Sequence, residues 1–108
     1  MDTFVALADP TRRRIIESLA SGERSFGELA EQFEMSRPAV SQHLRVLRDV
    51  GVVASRADAQ RRIYRLSDEG LDEIDAWLAK VRAYWAPRLD RLEQILKEPD
   101  EQKGKTDE

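Results

Sequence analysis

The side chains best suited to chemistry in this chain lie between residues 35 and 53, in MSRPAVSQHLRVLRDVGVV. At about 100° per residue, Arg37, Pro38, Ser41, Gln42, Arg45, Arg48 and Asp49 share one arc of a helical wheel. Ala39, Val40, Leu44, Val46, Leu47 and Val50 share the opposite arc. An ordinary solvated helix face carries mixed Glu and Lys, whereas this one carries arginine, glutamine and serine. Guanidinium and carboxamide groups pair with purine edges in the major groove of B-DNA, and hydroxyls and guanidiniums hold phosphates. The pattern predicts duplex DNA as the partner.

The elements that must hold this face in place are legible around it. A helix over 26–33 precedes it across the break EMS, with Phe26, Leu29, Ala30 and Phe33 at helical spacing and Ser25 and Glu28 as a capping box. Ser36 caps the next helix, which covers 36–50, and Gly51 stops it. Helix, tight turn and helix with an arginine and amide face is the helix-turn-helix arrangement. Upstream, 2–8 reads as a short helix, and Asp9-Pro10 opens a second one that Gly22 ends, with Ile15, Ile16 and Leu19 apolar. Downstream, the period changes to that of strands, at 52–55 and 61–66, the two forming a wing over 52–66. The connection RADAQ has neither glycine nor Asn-Gly, which predicts a longer mobile loop rather than a two-residue turn. A long helix over 67–96 follows, with Leu71, Ile74, Leu78, Val81, Trp85, Leu89, Leu92 and Leu96 on one stripe and an expected kink at Pro87. The polar segment 97–108 is expected to be a disordered tail. The fold class is therefore mainly α with a small two-stranded β-wing, and the domain is 1–96.

Composition narrows the function. With 41% apolar and 36% charged residues in 108, the chain reads as one globular, helix-rich domain. It has no cysteine, hence no disulfide or thiolate metal site, and no apolar run long enough to cross a bilayer. A cytoplasmic location is the default expectation. The net charge of −3 hides an asymmetry: 36–66 carries +5 and 67–108 carries −5. Fields are screened over about 8–10 Å, so the local basic patch matters more than the average. No nucleophile–base pair, glycine-rich phosphate loop or metal-ligand spacing is present, so an enzyme is not expected.

LADPTRRRIIESLASGERSFGELAEQFEMSRPAVSQHLRVLRDVGVVASR, followed by RRIYRLSDEGL, resembles the ArsR-type winged helix-turn-helix bacterial repressors. The resemblance covers 4–71 closely and the last helix in outline. It implies a homodimer built from the first and last helices, with Phe4, Leu71, Ile74, Leu78, Val81, Trp85, Leu89 and Leu92 in the interface. It implies DNA contacts from Ser36, Arg37, Pro38, Ser41, Gln42 and Arg45, and from Arg61 and Arg62 in the wing, with Arg56 a further candidate. The target would be an inverted-repeat operator. Within that set, Gln42 suits adenine, Arg45 or Arg37 suits guanine, and Ser36, Ser41 and the wing arginines suit phosphates. Family members that sense metals use cysteines or Asp/His clusters, which the third and last helices here lack. The resemblance is to the metal-free branch, with no cofactor and room for an unidentified small-molecule effector.

Other conspicuous residues have plainer readings. His43, the only histidine, falls within the apolar arc and reads as a packed, hydrogen-bonded side chain rather than a ligand or switch. The acidic residues Asp68, Glu69, Asp72, Glu73 and Asp75 suit a helix N-terminus. Trp77, Tyr84 and Trp85 suit either an interface or an effector pocket. Arg48 suits a phosphate or a surface ion pair, and Arg12, Arg13 and Arg14 suit a solvated face. The competing reading is a winged-helix module that binds DNA without sequence preference or binds another protein.

Overall fold

A computed structural model of the chain describes residues 2–97. The elements run α1 (Thr3–Leu7), α2 (Pro10–Ala20), β1 (Arg24–Ser25), α3 (Phe26–Gln32), α4 (Arg37–Asp49), β2 (Val53–Asp58), β3 (Arg61–Leu66) and α5 (Asp68–Lys97). Cap chemistry sets most of the boundaries. Asp9 accepts from the Arg12 backbone N–H ahead of Pro10, and Ser36 accepts from Ala39 N–H ahead of Arg37 and Pro38. Each satisfies an N–H that the first helical turn leaves open. Ser25 and Glu28 form the reciprocal capping box, at 3.2 Å and 2.8 Å. Gly51 takes φ +81° just past α4, a conformation that side chains with a Cβ resist.

The sheet has three antiparallel strands in the order β1-β3-β2. Two-residue β1, pairing Arg24 with Tyr64 and Ser25 with Ile63, adds an edge that the strand pattern did not reveal. The wing is the expected hairpin, but its loop is not. Strand pairing continues out to Asp58↔Arg61, so only Ala59 and Gln60 form the turn. Ala59 supplies the positive φ, 57°, that a glycine or asparagine ordinarily provides. RADAQ is therefore mostly strand, and the expectation of a long loop is corrected.

The described residues divide into two compact units, one ending at Ile74 and the other beginning at Asp75. The first unit holds the core: Ile15, Leu19, Leu29, Phe33, Val40, Leu44, Leu47, Val52, Val53 and Tyr64. Val40, Leu44 and Leu47 recur at four and three residues, so a single face of α4 is buried. Burying side chains of this size contributes about 1.5–3 kcal/mol each. Leu71 and Ile74 pack on this core from the base of α5. There, Gly70 N–H donates to Gly51 O at 2.8 Å, and a Cβ on Gly70 would lie 2.7 Å from Val52 Cγ2. Thr3, buried in α1, donates to Glu73 Oε2 at 2.8 Å.

In the second unit, α5 continues as helix through Pro87 to Lys97. Its apolar residues are largely exposed: Trp77, Tyr84, Trp85, Leu89, Leu92, Ile95 and Leu96. Val81, Trp85, Ala86 and Leu89 line a shallow apolar groove there. Lys97, assigned above to the tail, is the last residue of α5, and 98–108 lie outside the described residues. Among those described, no helix is long and apolar enough to cross a membrane.

Candidate nucleic-acid interface

Because α4 buries Val40, Leu44 and Leu47, geometry turns its other face outward. Ser36, Arg37, Pro38, Ser41, Gln42 and Arg45 are all exposed. Ser36 Oγ accepts from Ala39 N–H at 3.2 Å, which leaves its hydroxyl proton available to donate. The Arg37 guanidinium lies 5.7 Å from the centre of the Phe26 ring, so α3 supports the first arginine of α4 by a cation–π contact. Beside it, Phe26, Gly27, Arg37, Gln60, Arg61 and Arg62 line a groove between the helix-turn-helix and the wing tip. No carboxylate lines this groove, although the whole chain is acidic. The wheel singled out Arg37, and the resemblance singled out Arg61 and Arg62. Gln60 and Phe26 were missed. Gln60 became visible only when the wing tip closed to two residues.

The back of α4 is fastened to its surroundings. Arg12 Nη1 lies 3.2 Å from His43 Nδ1, while Arg12 Nε donates to Ala6 O at 2.6 Å. His43 is thus the packed, hydrogen-bonded side chain its position on the wheel suggested. Partial burial pushes the nearby Asp9 carboxyl upward. The Arg12 backbone N–H and the Arg12 charge outweigh this and hold it below its ordinary value. Toward the end of the helix, Arg48 donates to Ser55 Oγ on β2 at 3.2 Å. Of the arginine run in α2, Arg13 donates to Leu7 O and Arg14 sits 4.9 Å from the Phe33 ring.

The wing's other face differs. The pairing of Arg56 with Ile63 and Asp58 with Arg61 puts Arg56, Asp58, Arg61 and Arg65 on the side of the sheet that carries Ile63. Arg56 donates to Glu23 Oε2 at 2.6 Å and Arg61 lies 3.4 Å from Asp58 Oδ2. The bond from Arg56 holds the Glu23 carboxyl below its ordinary range and raises the guanidinium's own pKa. Among the described residues, no group of three or more His, Cys, Asp or Glu is placed to hold a metal ion.

Comparison with known proteins agrees with this geometry. Residues 9–55 match the family model described as "Bacterial regulatory protein, arsR family". The chain is 43% identical over 91 residues to the HTH-type transcriptional regulator Rv2034 of Mycobacterium tuberculosis, covering 84% of this chain and 82% of that protein. It is 34% identical to the transcriptional repressor SdpR of Bacillus subtilis, over 71% of this chain and 86% of that one. Among solved structures, a possible transcriptional regulator for arsenical resistance superposes with a TM-score of 0.70 at 42% identity, covering 88% of this chain and 96% of its own. The repressor BigR of Xylella fastidiosa gives a TM-score of 0.59 at 30% identity, covering 76% and 81%. With its helix-turn-helix, its wing and these relatives, the chain belongs to the ArsR family of bacterial regulatory proteins.

Proposed function

We propose that this DNA-binding regulator is a homodimeric, sequence-specific repressor that acts in the cytoplasm on an inverted-repeat operator. The observation that carries the proposal is the division of α4: Val40, Leu44 and Leu47 are buried while Ser41, Gln42 and Arg45 stand exposed on a helix whose first residue, Arg37, lines a groove without carboxylates. A non-specific binder needs only cations, whereas an outward carboxamide flanked by a hydroxyl and a guanidinium suits base edges. Repression is supported by the names of relatives, among them the arsenical resistance operon repressor of Staphylococcus xylosus. Dimerisation is supported by the exposed apolar side chains of α5, from Trp85 to Leu96. Two copies related by a two-fold would set their α4 helices about 34 Å apart, one helical turn of DNA.

The test is a titration of the purified protein against its own upstream DNA, with a scrambled duplex as competitor, at two salt concentrations. Preferential binding upstream supports a sequence-reading repressor of its own gene, and footprinting then gives the half-site spacing. Equal, salt-sensitive binding to both supports the non-specific reading. Binding to neither supports a protein-interaction module.

A further inference from the structure

Arginines on the wing meet two different electrostatic settings. Toward α4, Arg62 joins Arg37, Arg61 and Gln60 around a groove with no carboxylate. Arg61 also borders a second pocket, which it and Arg56 share with Glu23, Glu28 and Asp58. Glu23 comes from the segment before β1 and meets Arg56 at 2.6 Å, while Asp58 meets Arg61 at 3.4 Å from across the hairpin turn. Arg65 adds its charge to the field at Glu23, and Arg24 and Arg61 add theirs at Glu28. That pocket is therefore a mosaic of opposite charges, adjoining a basic groove.

A phosphate is a competitor for any guanidinium that already faces a carboxylate. An arginine paired in the free protein releases fewer counterions' worth of affinity when DNA arrives, and that part of the affinity is indifferent to sequence. We propose that Glu23 and Asp58 are specificity-determining residues. By occupying Arg56 and Arg61, they hold down binding to arbitrary DNA and leave discrimination to the exposed face of α4. The proposal rests on the DNA-binding reading above and adds to it the residues that set the background against which an operator is found.

The test uses full-length Glu23→Gln and Asp58→Asn proteins, with fluorescence anisotropy of a scrambled duplex and of a duplex selected by the wild-type chain from a random pool, across a salt series. Each substitution should tighten the scrambled duplex about two- to five-fold, in keeping with the modest strength of exposed ion pairs. It should also steepen the salt slope by about one per arginine freed. The selected duplex should gain less, so the ratio between the two falls. In an Arg56→Gln background, Glu23→Gln should have no such effect, which separates release of Arg56 from simple loss of a negative charge. Unchanged or weaker scrambled binding by both single variants, from a wild type that selects DNA normally, overturns the proposal alone. A wild type that binds no duplex overturns the DNA-binding reading and this proposal with it.

Discussion

Arg12 and His43 join the start of α2 to the middle of α4 through one hydrogen bond, Nη1 to Nδ1, at 3.2 Å. Arginine can only donate, so Nδ1 accepts and the ring proton sits on Nε2. The competing arrangement, an Nδ1–H aimed at Asp9 Oδ2, would span 3.9 Å, too long for a hydrogen bond. His43→Ala should therefore cost about 1 kcal/mol of stability in urea denaturation, while His43→Gln, whose carbonyl can still accept, should lose less. Equal losses from the two would show that the ring does not act by accepting a hydrogen bond.

Gln42 and Arg62 should fail in different ways. Gln42→Ala should relax discrimination at one base pair by about 1–3 kcal/mol and leave other positions alone. Arg62→Ala should weaken all duplexes alike and flatten the salt slope by about one. A base-by-base competition series read at several salt concentrations distinguishes the two. A Gln42→Ala protein with an unaltered specificity ratio would remove this residue from base reading.

Leu89 is 58% exposed, so replacing it with Asp leaves the buried core of the protomer alone. If the exposed residues of α5 form the homodimer interface, Leu89→Asp places a charge in an apolar contact and should shift the protein to monomer at micromolar concentration. Sedimentation equilibrium reads this directly, with circular dichroism confirming retained helix content.

Acid should loosen the fold through its caps. The Ser25 backbone N–H and hydroxyl hold the Glu28 carboxyl below its ordinary value of 4.5. A depressed carboxylate pKa means that this stabilisation is fully present above 4.5 and is lost as the pH falls through the lower folded value. Melting temperatures should fall in that acidic range, and Glu28→Gln should flatten the decline.

Features that depend on a few neighbouring residues could be read from the sequence. The caps at Asp9, Ser25 and Ser36 were legible because each is a local hydrogen bond to a residue three positions on. The exposed face of α4 was legible because burial follows its period. The wing tip was misread because Ala59 and Gln60 carry none of the usual turn residues, and strand pairing overrode Ala59's poor fit to positive φ. β1 has two residues, too few to show a period. The partnership of Glu23 with Arg56 spans 33 positions, and nothing local at either residue announces it.

The two-residue turn has a consequence beyond its shape. Strand side chains alternate, so the face that each wing arginine occupies is decided by counting residues from the turn. With Ile63 still opposite Arg56, a single residue inserted between Arg62 and Ile63 would take the place opposite Ala57 and move Arg62 opposite Asp58. Composition and net charge would hardly change, yet Arg62 would leave the side that faces α4 for the side that carries Asp58, and Arg61 would pass into the turn. The wing's division of labour is thus a matter of parity, written in chain length rather than in residue identity.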